Sequence, residues 1–323
     1  MEMNPVKTTQ KRTEFLCQKR TLTTCWLFLL SLCSIAQDVK FNNNYSVACH
    51  NCYEKKLATD FQDVFTYTHT IELDIWNENF GIGLLARLLG KDLRGDWYVK
   101  HRPQERGNKN FTNGSLRNCL MHLKAWSDAN PAHQVITVFI DKKQDWGDEL
   151  LGKKPADLDK LILSVFSKAD IFLPVDLLGN QQNLKAAARC NWPVLDSLKG
   201  KFVFVLTDGT IFSFRKPLND YQKSQGKEAV CFIAPRISSE AEIQQPKGLS
   251  ADLASNVVFY NLKDAHSNLA ETINGIDCIS RVYGSSKTEN YDRYEAMVGQ
   301  KVNFVALYNY KIPYEYGVKV KSL

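Results

Sequence analysis

Apolar runs of strand length alternate with segments of helical spacing along most of the chain. Residues 135–143 (VITVFIDKK) and 201–209 (KFVFVLTDG) are apolar on both faces, as expected of buried parallel strands. Between such runs, residues 54–65, 115–131 and 155–169 carry apolar side chains at helical intervals. This alternation of strands and helices predicts an α/β fold.

Nine segments have strand character, and one of them, residues 231–236, is short and weakly patterned. Eight parallel strands over roughly 280 residues fit a closed (β/α)8 barrel of the TIM type. An open doubly wound sheet alternates in the same way, but no glycine-rich fingerprint follows the first strand. We therefore predict one barrel domain for residues 37–323.

Residues 1–36 have the pattern of an export signal. A basic pair precedes an apolar run at residues 25–32, and small residues follow at positions 34 and 36. The run is shorter than the about 20 residues that span a bilayer. We predict cleavage after residue 36 or 37 and a secreted or periplasmic protein. Lipid attachment at Cys33 is the weaker alternative, because a bulky leucine precedes that cysteine.

The composition limits the classes of partner. The 323 residues are 44% hydrophobic and 24% charged, which is typical of a globular protein with a sizeable core. The formal net charge is +6, and about half of it lies in the leader. The remainder is too small to indicate nucleic acid binding, although it suits a mild preference for anionic surfaces. We expect a monomer.

Polar side chains end four of the predicted strands. Because all strands of a (β/α)8 barrel open on one face at their carboxyl ends, these side chains are expected to meet there. Glu72 and Asp74 are two residues apart on one strand, so both point to the same side, into the barrel mouth. The complete set is His50 with Asn51, Glu72 with Asp74, His101, and Asp141.

These residues divide into two chemical groups. Three carboxylates and an amide oxygen, from Asn51, Glu72, Asp74 and Asp141, are hard ligands suited to Ca²⁺ or Mg²⁺. The two histidines are then left for proton transfer. The sequence therefore predicts a metal-assisted reaction with acid–base catalysis.

The segment Cys49-His50-Asn51-Cys52 also has the C-x-x-C spacing of a thioredoxin-like redox motif. That alternative leaves the polar residues of the other strands unexplained. A local disulfide is the more favoured use of the two cysteines, while the pairing among the six cysteines beyond the leader stays open.

The succession of HN, ELD, H and D on these strands resembles the phosphatidylinositol-specific phospholipase C superfamily, above all its secreted, calcium-dependent microbial branch. The resemblance is densest from Ala48 to Lys143. It implies a distorted (β/α)8 barrel. It also implies that His50 and His101 are catalytic and that Asn51, Glu72, Asp74 and Asp141 hold Ca²⁺, with Mg²⁺ less favoured.

Several positions extend or depart from the family pattern. The family often has glutamate where this chain has Asp141, which is one methylene shorter. Arg102, Lys143 and Arg281 are weaker candidates for contacts with phosphate, and Tyr308 is a weaker candidate for stacking on a sugar ring. The segment 77–96 is an insertion with an apolar centre.

The resemblance implies an enzyme that cleaves phosphatidylinositol-type lipids at a membrane surface. Attack by the inositol 2-hydroxyl would release diacylglycerol and a cyclic inositol phosphate. One alternative is a glycerophosphodiester phosphodiesterase, although that family usually has arginine where this chain has Asn51. Another is a non-catalytic barrel that binds inositol phosphates or glycans. The sequence does not decide the head group.

Overall fold

Nine parallel strand segments occupy eight barrel positions and, with helices between them, form a nearly closed barrel. The computed structural model describes residues 39–77, 95–103, 105, 109–147, 152–209, 216–284 and 291–312. The order of neighbouring strands is β6-β5-β4-β2-β1-β10-β9-β8-β7, and β3 pairs with β2 outside this path. The strands are β1 (Ser46–Cys49), β2 (Thr70–Trp76), β3 (Tyr98–Val99), β4 (Ile136–Lys142), β5 (Phe202–Asp208), β6 (Phe232–Ala234), β7 (Arg236–Ile237), β8 (Phe259–Lys263), β9 (Ile279–Tyr283) and β10 (Phe304–Leu307).

Helices among the described residues follow most of these strands. They are α1 (Phe61–Phe65), α2 (Leu116–Ala129), α3 (Pro155–Leu163), α4 (Pro174–Leu178), α5 (Leu184–Ala188), α6 (Lys216–Gln225), α7 (Ala241–Gln244), α8 (Ala251–Ala254), α9 (Leu269–Asn274) and α10 (Tyr291–Gly299).

Two predicted helices are shorter than their apolar spacing indicates. The helix expected over residues 54–65 is confined to α1, because the Asp60 side chain caps it by accepting a hydrogen bond from the Asp63 N–H. The helix expected over 155–169 ends at Leu163, and a 3-10 turn follows at Lys168–Asp170.

The strand that leads to His101 runs against the barrel. Tyr98–Val99 pairs antiparallel with Ile75 and Trp76 at the end of β2. The expectation that this strand is one of the parallel strands is therefore wrong. The Lys100 N–H nevertheless donates to Asp74 O (3.1 Å), so the chain just before His101 is fixed beside β2.

Because β3 lies outside the barrel, the short segment 231–236 provides the eighth barrel strand, and it does so in two pieces. β6 pairs with β5, whereas β7 pairs with β8, and Pro235 lies between the two. Proline has no N–H to donate to a strand ladder, and its carbonyl accepts from the Asn261 N–H (3.0 Å). The barrel is therefore nearly closed at this position.

One large apolar core fills the barrel and the layer between strands and helices. The described residues from Val39 onward form one compact unit. No helix in the described ranges is long and apolar enough to cross a membrane. The predicted leader (1–36), Cys33 and most of the 77–96 insertion lie outside the described residues.

Candidate active site

Strand register brings the acidic side chains together. Asp74 of β2 is paired with Asp141 of β4, and Asp141 is paired with Thr207 of β5. Side chains at paired positions of parallel strands point to the same face, so all three point into the barrel. Glu72 lies two residues before Asp74 and points the same way.

Glu72, Asp74 and Asp141 form one buried carboxylate cluster. Each provides an oxygen atom, and these atoms lie within 4.8 Å of one another. Among the described residues, Glu72 Oε2 and Asp74 Oδ1 have ion-pair partners but accept no hydrogen bond of good geometry. Buried carboxylates need a positive partner, and a set of oxygen donors is what hard divalent cations prefer. The cluster can therefore hold a metal ion.

Two basic side chains provide positive charge next to this cluster. Lys143 Nζ lies 2.5 Å from Asp141 Oδ2 and 3.2 Å from Asp74 Oδ1. Arg281 is 1% exposed, and its Nη2 lies 2.8 Å from Glu72 Oε2. The carboxylates thus already attract a cationic group, the Lys143 ammonium, into the space between two of them.

The carboxylates differ in how readily they lose a proton. Burial raises the pKa of Asp74 to about 6, although the charge of Lys143 opposes the shift. Burial also acts to raise the pKa of Asp141, but the closer Lys143 outweighs it and the net shift is downward. Asp141 is therefore ionised over a wider pH range than Asp74.

His50 follows β1 and is fixed by its backbone and its ring. Its N–H donates to Leu307 O (2.9 Å), and its ring stacks on Tyr308 with centroids 4.4 Å apart. Its Nε2 lies 3.4 Å from Glu72 Oε2. Burial lowers the pKa of His50 to about 4, although Glu72 opposes the shift. The imidazole is therefore neutral at pH 7 and able to accept a proton.

His101 is half-buried and lies beside the other side of the cluster. Its Nδ1 is 3.4 Å from Asp74 Oδ2 and 3.0 Å from Asn51 Nδ2. The carboxylate accepts from protonated imidazole, and the amide can donate to neutral imidazole, so Nδ1 has a partner in both states. The hydrogen bond to Asp74 raises the pKa of His101, which favours a proton donor.

Of the six predicted core residues, Glu72, Asp74 and Asp141 make up the carboxylate cluster, and His50 and His101 contact it. Asn51 joins the cluster through His101. The Asn51 Oδ1 atom also accepts from Tyr53 OH (3.1 Å). Of the weaker candidates, Lys143 and Arg281 contact the carboxylates, and Tyr308 contacts His50. Arg102 is exposed, and its N–H donates to Glu105 Oε2 (3.1 Å).

Two polar residues that support the cluster were not predicted. Thr207 Oγ1 donates to Asp141 Oδ1 (3.0 Å), and Asn261 Nδ2 donates to Thr207 Oγ1 (3.3 Å). Asn261 Oδ1 accepts from Arg281 (3.0 Å), so a polar chain joins Asp141 to Arg281 across the barrel. Both residues interrupt apolar strands, which is the signal that singled out Glu72 and Asp74.

Gly209 leaves the space that the Asp141 carboxylate occupies. A Cβ atom at position 209 would lie 2.5 Å from Asp141 Cγ and closer still to both carboxylate oxygens.

We expect Gly209→Ala to displace this carboxylate and to weaken calcium binding by about 10–100-fold. Calorimetric titration with Ca²⁺ measures the effect. Gly299→Ala is the matched control, because nothing lies within 4 Å of its Cβ position. Equal calcium affinity in both variants would contradict this prediction.

Comparisons with known proteins agree with this site. A family model described as phosphoinositide phospholipase C, Ca²⁺-dependent, matches residues 107–241. The matched span contains Asp141 and Lys143 but not the motifs around His50 and Glu72. The resemblance was expected to be densest from Ala48 to Lys143, so the two stretches overlap only in part. A comparison with curated proteins found no match.

Solved structures match over nearly the whole chain. The myo-inositol complex of a calcium-dependent phosphoinositol-specific phospholipase C from Pseudomonas sp is 30% identical, with a TM-score of 0.76, covering 86% of this chain and 93% of that chain. A second crystal form is 29% identical, with a TM-score of 0.77 and coverages of 87% and 94%. The calcium-dependent enzyme from Streptomyces antibioticus is 20% identical, with a TM-score of 0.69 and coverages of 84% and 95%, which supports the fold.

These matches confirm the predicted (β/α)8 barrel and the predicted enzyme class. They also agree with calcium as the cofactor, since the family is calcium-dependent and the buried carboxylates can hold a metal ion. A structure that is 30% identical and is covered over 93% of its length identifies the family. The chain therefore belongs to the calcium-dependent phosphoinositide phospholipases C.

Proposed function

We propose that this enzyme cleaves phosphatidylinositol by attack of the inositol 2-hydroxyl on the neighbouring phosphorus. The products are diacylglycerol and a cyclic inositol phosphate, which water can open in a second step. One observation carries the proposal: a histidine with a lowered pKa and a histidine with a raised pKa contact the same buried carboxylate cluster.

The two histidines have opposite roles in proton transfer. His50 is neutral at pH 7 and takes the proton from the attacking hydroxyl. His101 keeps its proton to a higher pH and gives it to the departing diacylglycerol oxygen. Stacking on Tyr308 and the hydrogen bond to Asp74 orient the two rings.

Glu72, Asp74 and Asp141 would hold the calcium ion, and the Asn51 amide oxygen, which accepts from Tyr53 OH in the structure, would complete the set of predicted ligands. When bound, Ca²⁺ stabilises charge on a phosphate oxygen and lowers the pKa of the 2-hydroxyl. Calcium binding would require Lys143 to break at least one of its ion pairs with Asp74 and Asp141, and its ammonium could then contact phosphate.

Charge balance favours an anionic phosphodiester as substrate. The three carboxylates are balanced by Lys143, Arg281 and protonated His101, so these six side chains carry no net charge. A divalent cation would then make the site positive, which attracts the negative charge of a phosphodiester. Arg281 stays paired with Glu72 deep in the barrel, and Arg102 is exposed, so Lys143 is the strongest phosphate candidate of the three.

Calcium affinity is expected to depend on pH through Asp74. Its pKa of about 6 in the absence of calcium means that protons compete with the cation below that pH. Lowering the pH from 7 to 5 should weaken the apparent affinity by about tenfold. Calorimetric titrations at the two pH values measure this change. The variant Asp159→Asn removes another buried carboxyl with a pKa of about 6 and should keep the same dependence. An affinity that stays constant between the two pH values would argue against Asp74 as a ligand.

The direct test compares two substrates. With Ca²⁺, the enzyme should hydrolyse phosphatidylinositol to diacylglycerol, and a chelator should abolish the reaction. Glycerophosphoinositol should be the poorer substrate. Predominant release of glycerophosphate from it would favour the glycerophosphodiesterase alternative, and turnover of neither substrate would favour a non-catalytic barrel.

We further propose that the chain is exported and acts as a monomer that contacts lipid surfaces. The Cys49–Cys52 disulfide supports an oxidising compartment. Tyr291 is 42% exposed at the start of α10, which follows the carboxyl end of β9 and hence lies on the face of the site. The mass of the mature protein, sedimentation with phosphatidylinositol vesicles, and ultracentrifugation test these three statements. An unprocessed cytoplasmic chain, or no vesicle binding, would contradict them.

A further inference from the structure

A disulfide closes the loop that carries His50 and Asn51. Cys49 is the last residue of β1, and its sulfur is bonded to that of Cys52, with Cα atoms 5.6 Å apart. Both cysteines are buried. The covalent ring therefore spans four residues, and its two middle residues are the proposed base and a proposed calcium ligand.

The backbone of this loop has an uncommon conformation. Asn51 has a φ of +60°, a region that residues other than glycine rarely adopt, although asparagine tolerates it best. On one side the His50 N–H bonds to Leu307 O, and on the other the Glu54 N–H bonds to Asn51 O (3.0 Å). The disulfide restricts the alternatives that an open chain could adopt at Asn51.

The loop touches both halves of the site. His50 Nε2 faces Glu72, while the Asn51 amide lies between Tyr53 OH and His101 Nδ1. A shift of this loop would therefore move the base relative to the carboxylate cluster and would remove one partner of the proposed acid. A displacement of about 1 Å at such groups can lower a rate by about 100-fold.

The disulfide has little influence on the fold as a whole. The stabilisation that a cross-link gives by restricting the unfolded chain is smallest for short loops. Here the loop has four residues within an extensive barrel core. Loss of the bond is therefore expected to disorder the loop while the barrel stays folded.

We propose that the Cys49–Cys52 disulfide is a redox-dependent positioning element of the active site. The oxidised enzyme holds His50 and Asn51 in place, and the reduced enzyme loses calcium affinity and rate. A dithiol reductant supplies two electrons and two protons, the S–S bond breaks to give two thiols, and the dithiol becomes a disulfide. The inference rests on the proposed roles of His50 and Asn51.

The test uses the full-length folded protein in two redox states. Dithiothreitol is applied to the folded protein until samples that are quenched, unfolded and alkylated show by mass spectrometry two newly labelled cysteines, at positions 49 and 52. We expect kcat on phosphatidylinositol to fall by about 10–100-fold and calcium affinity, measured by calorimetry, to fall by about tenfold. The melting temperature without calcium should change by only a few degrees, and oxidised glutathione should restore both values.

Two variants make the test specific. Cys49→Ala/Cys52→Ala should reproduce the reduced state without reductant. Cys190→Ser removes the exposed free thiol and should leave the redox response unchanged. If the double variant does not fold, the reversible reduction of the wild-type protein decides.

The outcomes separate this inference from the proposed function. A verified reduced enzyme that keeps its rate and its calcium affinity would overturn the inference while phospholipase activity stands. A protein that cleaves no phosphatidylinositol in either state, but whose calcium affinity falls on reduction, would overturn the proposed function and keep the inference.

Discussion

Replacing His50 or His101 by alanine is expected to lower kcat on phosphatidylinositol by about 10²–10⁴-fold. Calcium affinity should change far less, because neither imidazole belongs to the proposed ligand set. The two variants should differ in one respect. A phosphodiester with a good leaving group, such as nitrophenolate, needs no protonation on departure, so it should restore much of the rate of His101→Ala but not that of His50→Ala.

His133→Ala is the matched control for both variants. His133 is buried, and it bonds to Ser127 and to a backbone carbonyl beside the start of β4, away from the carboxyl ends of the strands. Its loss should lower stability and leave kcat close to that of the wild type. Steady-state kinetics with both substrates checks the set. Wild-type kcat in His50→Ala and His101→Ala would remove the catalytic assignment.

Replacing Asp74 by asparagine is expected to have the largest effect on calcium. Asp74 contacts Lys143 and His101 and lies in the middle of the cluster. Removing its charge takes one of three carboxylates from the site, and we expect calcium affinity to fall by roughly 100-fold or more. The pKa of His101 should also fall toward its ordinary value, because the hydrogen bond to Asp74 is the main reason that this pKa is raised.

Calorimetry and NMR titration of the His101 ring measure these two effects. Asp159→Asn is the control, since Asp159 is a buried carboxylate that bonds to Tyr221 (2.7 Å) outside the site. It should keep both the calcium affinity and the pKa of His101. If Asp74→Asn binds calcium as tightly as Asp159→Asn does, the cluster is not the calcium site.

Much of the barrel was predictable because its strands are buried on both faces. Such runs as 135–143 and 201–209 stand out by composition alone, and they correspond to β4 and β5. Strand direction is not encoded in apolar spacing, which explains why Tyr98–Val99 was expected to be parallel. The split at Pro235 follows from pairing with two different neighbours, which local sequence does not define.

The candidate site was predictable where a polar residue interrupts or ends an apolar strand. That rule found Glu72, Asp74 and Asp141, and it applies equally to Thr207 and Asn261, which it could have identified. The partnerships were not predictable. Arg281 joins Glu72 from a strand more than 200 positions away, and Lys143 turns toward the carboxylates, because barrel closure sets these contacts.

The most direct test of calcium binding at this cluster is a crystal structure of the protein grown with calcium, with anomalous scattering measured at long wavelength. We expect one anomalous peak at 2.3–2.6 Å, roughly the usual calcium–oxygen distance, from oxygens of Glu72, Asp74 and Asp141, with Asn51 Oδ1 at a similar distance. Lys143 should have moved off at least one of its two carboxylates. No peak at this cluster under saturating calcium, with Lys143 still bound to Asp74 and Asp141, would show that the cluster is not the calcium site.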